Sequence, residues 1–156
     1  MVAEIPLKHG LVALVDDEDY ERVTQLTWWV SWGRYGEPYV CHSQRVGRRI
    51  FHTFLHNFVL SLPPGASADH INYDTLDCQK HNLRPATRAQ QAAHRRRFRN
   101  NTSGYIGVYP RRNKFRAVVA NKQVGTYPTA EEAARARDAA AIAQYGEFAT
   151  LNFPPS

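Results

Sequence analysis

The chain has 156 residues, with 20 Lys and Arg against 14 Asp and Glu, a formal net charge of +6, 43% hydrophobic and 22% charged residues. That composition suits one or two small globular domains and excludes a disordered or collagen-like chain, and the lack of any apolar run of about 18 residues excludes a spanning helix. Two cysteines, Cys41 and Cys78, are too few for a disulfide framework or a four-cysteine zinc site. The N-terminus lacks the basic and apolar regions of a secretory signal, so a cytoplasmic protein with no membrane partner is the expectation.

Leu11, Val12, Ala13, Leu14 and Val15 form a short apolar run that reads as a buried strand. Asp16, Asp17, Glu18 and Asp19 follow, acids that suit the first turn of a helix through Leu26. Residues 28–30 and 39–41 flank a glycine-bearing hairpin connection over 33–38. Phe54, Leu55, Phe58, Val59 and Leu62 recur at helical spacing, and Pro63, Pro64 and Gly65 stop that helix. Residues 66–98 read as two short extended segments and a helix, opened by a Thr87/Gln90 capping box and running from Arg88 to about Arg97. Asn100, Asn101, Thr102, Ser103 and Gly104 are polar and lack apolar periodicity, which makes 100–104 a linker between modules at 1–99 and 105–156. Residues 105–109, 115–120 and 124–127 then read as three strands. A second capping box, Thr129 and Glu132, opens an alanine-rich helix ending at Gly146, with Ala133, Ala136, Ala140 and Ala143 as its narrow face. The pleat turns Phe115, Ala117 and Val119 toward that helix, and Arg116, Val118 and Ala120 outward.

Charge is distributed unevenly along this order. Residues 1–77 are net −4 and residues 131–156 net −2, whereas residues 78–130 carry 12 basic side chains and no Asp or Glu. A stretch of that length without a carboxylate is the footprint of a polyanion-binding surface.

The residues that bear chemistry are Asp69, His70, Ile71 and Asn72, then Asn82, Leu83 and Arg84, then a helix carrying Gln91 and His94. Hydrolysing a phosphodiester needs a base for water, a cation at the developing charge and a scaffold that holds both. A histidine beside a carboxylate, with a side chain from a following helix, could assemble those parts. On spacing alone, a histidine ending a strand and an asparagine in a turn explain the pattern equally well. Cys78 and His81 complete no zinc spacing and read as structural or exposed.

Asp69-His70-Ile71-Asn72-Tyr73-Asp74, followed by Asp77 and Asn82-Leu83-Arg84-Pro85-Ala86-Thr87, resembles the His-Asn-His (HNH) motif of homing-type endonucleases, here over residues 66–97. His56, Leu60 and Pro63-Pro64-Gly65 are similar to the approach to that motif. Ser103-Gly104-Tyr105-Ile106-Gly107-Val108-Tyr109, Ala130-Glu131-Glu132-Ala133-Ala134-Arg135-Ala136 and Leu151-Asn152-Phe153-Pro154 resemble the APETALA2/ethylene-response-factor DNA-binding domain. Together the two resemblances cover roughly residues 50–154.

They imply an α+β protein: a β-β-metal-α nuclease module, then a three-stranded antiparallel sheet packed on one helix. The implied activity is metal-dependent hydrolysis of double-stranded DNA in a phage or bacterial protein, with no protein partner. By resemblance, His70 is the general base and Asp69 a ligand to one divalent cation, Mg2+ or Mn2+, while Asn82 holds the motif loop through backbone hydrogen bonds. The last motif position, His or Asn in that family, is Gln91 here, with His94 one turn along as a substitute ligand. The DNA contacts implied are Tyr109, Arg111, Arg112, Lys114, Arg116 and Gln123, with Arg95, Arg96, Arg97 and Arg99 from the basic run. Ile106, Val118 and Ala120 are apolar where plant members commonly carry Arg or Trp, so the plant recognition sequence is not implied. The rival reading is a non-cleaving DNA-binding protein whose nuclease site has decayed at Gln91; an RNA-recognition signature is absent.

Overall fold

In the computed structural model of the chain, which describes residues 1–34, 36–94 and 102–155, alternating apolar residues at the N-terminus build a two-stranded antiparallel ribbon. β1 (Val2–Pro6) pairs with β2 (Val12–Asp16), setting Ile5 opposite Ala13 and Ala3 opposite Val15. α1 (Asp17–Thr24) begins on three acids and buries Val23. Its Arg22 bonds Asp19 Oδ1 at 2.7 Å and the Phe58 carbonyl at 3.1 Å, which ties it to the helix that follows the next sheet. That sheet is antiparallel, in the order β3 (Trp29–Trp32), β4 (Pro38–Val46), β5 (Arg49–Phe54). β5 leads directly into α2 (Leu55–Val59). A second ribbon, β6 (Ala68–His70) against β7 (Leu83–Pro85), closes the unit that extends from Met1 to Thr87. Its core is Ile5, Ala13, Val15, Val23, Val40, Leu55, Val59, Cys78 and Leu83.

The helix expected over 54–62 is shorter than its periodicity suggests. Phe54 is the last residue of β5, and Ser61 takes a φ of +51°. Asn57 accepts from the Ala68 N–H at 2.9 Å and donates to the Ala66 carbonyl at 3.4 Å, so its side chain braces the next loop.

The second unit runs from Arg88 to Ser156. It begins with α3 (Arg88–Ala93), which packs against α4 (Ala130–Tyr145) and the Gly146–Phe148 turn. The division between units thus falls at Thr87/Arg88, ahead of the linker expected at 100–104. The continuation of α3 expected to about Arg97 lies outside the described residues beyond His94.

β8 (Val108–Arg111), β9 (Lys114–Val119) and β10 (Lys122–Tyr127) form an antiparallel sheet with β9 in the middle. Ala120 and Asn121, with φ of +48° and +64°, make the tight turn between β9 and β10. Strand pairing starts at Val108, not Tyr105; Gly107 just before it has a φ of +70°, and its carbonyl accepts the Val118 N–H at 2.8 Å. α4 opens with the reciprocal Thr129/Glu132 box, at 3.2 and 3.4 Å. The face it buries is Ala133, Ala134, Arg137, Asp138 and Ala141, one step round from the expected alanine stripe; Ala143 is exposed.

Polar chemistry sets that rotation. Asp138, 6% exposed, accepts from the Asn152 and Phe153 N–H groups at 2.7 and 3.0 Å and from Asn152 Nδ2 at 3.0 Å. Asn152 in turn bonds the N–H and carbonyl of Ile106 at 2.6 and 3.2 Å. Asp138→Ala leaves these donors buried without their acceptor and should lower the unfolding free energy by about 3 kcal/mol. Urea unfolding of the full chain measures this, and a loss below about 1 kcal/mol would show that the network is not what fastens residues 149–153 to α4.

Candidate active site

The β6–β7 ribbon is three residues long, with Asp69 opposite Arg84 and His70 opposite Leu83. Between its strands runs a loop of mostly polar residues, and Asn82 holds that loop. Its Oδ1 accepts from the Asn72 N–H at 2.9 Å, its Nδ2 donates to the Asp77 carbonyl at 2.8 Å, and its own carbonyl accepts from the Ile71 N–H at 2.8 Å. Inside the loop, Asn72 Oδ1 takes the Asp74 N–H at 2.8 Å and Asn72 Nδ2 donates to Asp77 Oδ2 at 2.8 Å. Asn and Asp satisfy backbone donors in this way where no helix or sheet can. The loop is seated on β2: Leu14 donates to the Leu76 carbonyl and accepts from the Cys78 N–H, both at 2.8 Å.

Asp69 and Arg84 form an ion pair at 3.0 Å with side-chain exposures of 11% and 13%, and the Arg84 Nε reaches the same Oδ2 at 3.2 Å. His70, 5% exposed, faces inward. Its ring stands edge-on to that of His56, with centroids 4.9 Å apart, and its Nε2 lies 3.8 Å from the Cys78 sulfur. Phe54 stacks on His56 at 5.3 Å, and Tyr39 meets both rings edge-on. Burial lowers the His70 pKa to about 4 against the opposing charges of Asp69, Asp74 and Asp77. Burial and then the neighbouring His70 lower that of His56 to about 3, again against Asp69. Burial, then Glu37 and Asp69, raises the Tyr39 phenol, and burial pushes the Cys78 thiol up. At neutral pH the cluster is therefore two neutral imidazoles, a neutral phenol and a protonated thiol, beside the Asp69–Arg84 pair.

Asp69, His70 and Asn82 are thus brought together in the first unit, on the two strands and their loop. Gln91 lies in α3, and His94 follows that helix with its N–H on the Gln90 carbonyl at 3.0 Å; both belong to the second unit. Tyr39, His56 and Cys78 join the cluster without having been expected as catalytic or metal-binding residues, and Arg84, already named with the motif, takes a role its type and spacing did not assign, that of partner to Asp69. Strand register supplies the missing signal for Arg84, which lies two residues past the loop-closing Asn82 just as Asp69 precedes the loop.

A hard, anionic oxygen such as that of Asp69 suits magnesium, but Arg84 already holds Oδ2. Among the described residues no group of three or more His, Cys, Asp and Glu side chains is arranged to hold a metal ion. The first unit does not by itself complete a cation site.

In the second unit, Tyr109 and Arg116 are cross-strand neighbours on the sheet face away from α4, with the Arg116 guanidinium 5.7 Å from the Tyr109 ring centre. Arg111, Arg112 and Lys114 are exposed around the β8–β9 turn and line an open hollow with Asn113 and Thr126. Gln123 is exposed on β10 and reaches Thr126 Oγ1 at 3.5 Å. Arg95, Arg96, Arg97 and Arg99 lie outside the described residues.

No family model matches the chain. No solved structure matches it. The chain is similar to a curated protein of Acanthamoeba polyphaga mimivirus named an uncharacterized HNH endonuclease, at 27% identity over 149 residues that span 92% of this chain and 75% of that protein.

The two depressed imidazoles make stability depend on pH. The unfolded chain binds protons near the ordinary value of 6.5 that the folded chain refuses until about 4 and 3. The stability they contribute is complete above about pH 6.5 and declines as pH falls toward those values, at about 1.4 kcal/mol per pH unit for each histidine. Urea unfolding between pH 7 and 4.5 should show this slope, and His56→Gln/His70→Gln should flatten it by up to two protons' worth. An unchanged slope would mean that the imidazoles are not held neutral.

Proposed function

We propose that this chain is an HNH-type nuclease that hydrolyses phosphodiesters of double-stranded DNA, with its second unit holding the duplex on the β8–β10 sheet in the manner of APETALA2-like domains. The observation that carries the reading is the β6–β7 ribbon, with Asp69 and His70 on one strand and a loop clamped by Asn82, in a chain similar along most of its length to a protein named an HNH endonuclease.

His70 is the proposed base. It is neutral at working pH, so it can take the proton of a water whose oxygen attacks phosphorus as the P–O bond to the leaving oxygen breaks. A pKa near 4 makes it a weak base, and a general base works best near the ambient pH. The arriving phosphate adds negative charge beside it and so moves that value upward. Asp69 acts in the same direction and stabilises the imidazolium once formed. Arg84 presents a fixed positive charge at the edge where the phosphate oxygens would lie. A divalent cation, Mg2+ or Mn2+, belongs to the proposal; in the first unit Asp69 is the residue that would help hold it, and it would neutralise charge on the phosphate.

The rival, a DNA-binding protein that does not cleave, draws on specific observations: His70 is buried, Arg84 holds Asp69 Oδ2, and Gln91 stands where the motif has His or Asn. Supercoiled-plasmid nicking with added magnesium or manganese separates the two. His70→Ala should lower the rate by roughly 10²–10⁴-fold with DNA affinity retained. Wild-type chain that binds DNA yet never nicks it would establish the non-cleaving reading.

For the second unit, Arg111→Gln/Arg116→Gln should reduce the steepness of log affinity against log salt by about 1.8, two phosphate contacts at ~0.9 each. Fluorescence anisotropy with a labelled duplex measures it. An unaltered slope would remove that face from the interface.

A further inference from the structure

Charge averaged over residues 1–77 conceals a local asymmetry. From Pro38 to Ala68 the chain has no Asp or Glu and carries Arg45, Arg48 and Arg49, all at the tip of the β4–β5 hairpin. Gly47, with a φ of +62°, supplies the first residue of the two-residue turn and fixes the register, so that Val46 faces Arg49 and Arg45 faces Ile50. Cross-strand partners share a face, and each face of the hairpin tip therefore pairs one arginine with one apolar side chain.

This hairpin stands in solvent on both faces. Residues 43–46 of β4 and all six residues of β5 are exposed, including Val46 at 57%, Ile50 at 54% and Phe51 at 52%. A two-stranded ribbon is marginal alone in water, and apolar side chains exposed on both sides mark a surface that meets a partner. Among the described residues none of the ion pairs involves Arg45, Arg48 or Arg49. A second copy of the same ribbon would bring three arginines against three arginines. A polyanion is the complement.

We infer that the β4–β5 hairpin is a second DNA-binding element, a two-stranded ribbon that enters the major groove beside the bond to be cut; the inference rests on the nucleic-acid reading above. The major groove, about 12 Å wide, admits such a ribbon, whose strands are about 4.8 Å apart. Arginines there reach guanine edges or phosphates, and Val46 and Ile50 are apolar partners for thymine methyl groups. β5 also links the tip to the site: it runs from Arg49 to Phe54, which stacks on His56, itself against His70. At about 3.4 Å per residue that is about 17 Å, or about five base pairs along a strand.

The test uses the full chain, labelled duplexes of decreasing length and no added divalent cation, so that it is read without cleavage. Arg45→Gln/Arg48→Gln/Arg49→Gln should make the salt slope shallower by about 2.7, three contacts at ~0.9 each, and shorten by about five base pairs the smallest duplex bound at full affinity. Ile50→Ser/Phe51→Ser should weaken binding several-fold and leave the slope in place, with circular dichroism unchanged in both variants. An unchanged slope and minimum length would overturn the inference. So would variants that retain duplex binding while losing self-association by sedimentation or co-pelleting with phosphatidylserine vesicles. Failure of plasmid nicking, by contrast, would defeat the nuclease reading and leave this result intact.

Discussion

The carboxamide of Asn82 is the constraint on which the first unit's site depends. It is 3% exposed, and with both of its ends engaged it fixes the start and the middle of a mostly polar loop whose Leu76 and Cys78 pack on the core. Without that clamp, β6 and β7 would be a three-residue ribbon joined by a long polar segment, well short of what makes a hairpin stable in water. The clamp closes the ribbon at Ile71, and Asp69, His70 and Arg84 take their places in consequence. The parallel bridge from Leu14 to Asp77 then fastens the loop to β2, so the site inherits its rigidity from the N-terminal ribbon.

The cluster behind the clamp has an electrostatic division of labour. Its inward half is held neutral: His56, His70 and Cys78 sit among rings and core residues where charge is disfavoured. Its outward half is one carboxylate and one guanidinium that neutralise each other. Both imidazoles are unprotonated at rest, with the carboxylates of Asp74 and Asp77 also acting on His70. On the proposed reading, a phosphate would compete with Asp69 for Arg84 and draw a proton toward His70. That coupling is what would, on the same reading, let a buried histidine of low basicity act as the base.

Much of this was legible from residue order. The strand at residues 11–15, the acidic start of α1, the Thr129/Glu132 box and the three-strand-plus-helix order of the second unit follow from local chemistry alone. What was not legible required partners distant in sequence. α2 begins only after Phe54, the last residue of β5, and gives way to a left-handed Ser61, while Asn57 within it braces the loop at Ala66–Ala68; α4 turns its buried face toward Asp138, which accepts from Asn152 and Phe153. No alanine count could reveal that. Likewise β5, six exposed residues with Ile50, Phe51 and Phe54, has no inward stripe to advertise it. Register gives Arg84 its place opposite Asp69, and ring contact brings His56 against His70.

The most direct test of the account is the fate of water's oxygen during turnover. The full chain is incubated with duplex DNA, magnesium and 18O-labelled water, and the products are examined by mass spectrometry. The account predicts one labelled oxygen in the terminal phosphate of each broken strand, with both label and breakage lost in His70→Ala. Strands that stay intact with wild-type chain, or breakage that His70→Ala leaves undiminished, would contradict it.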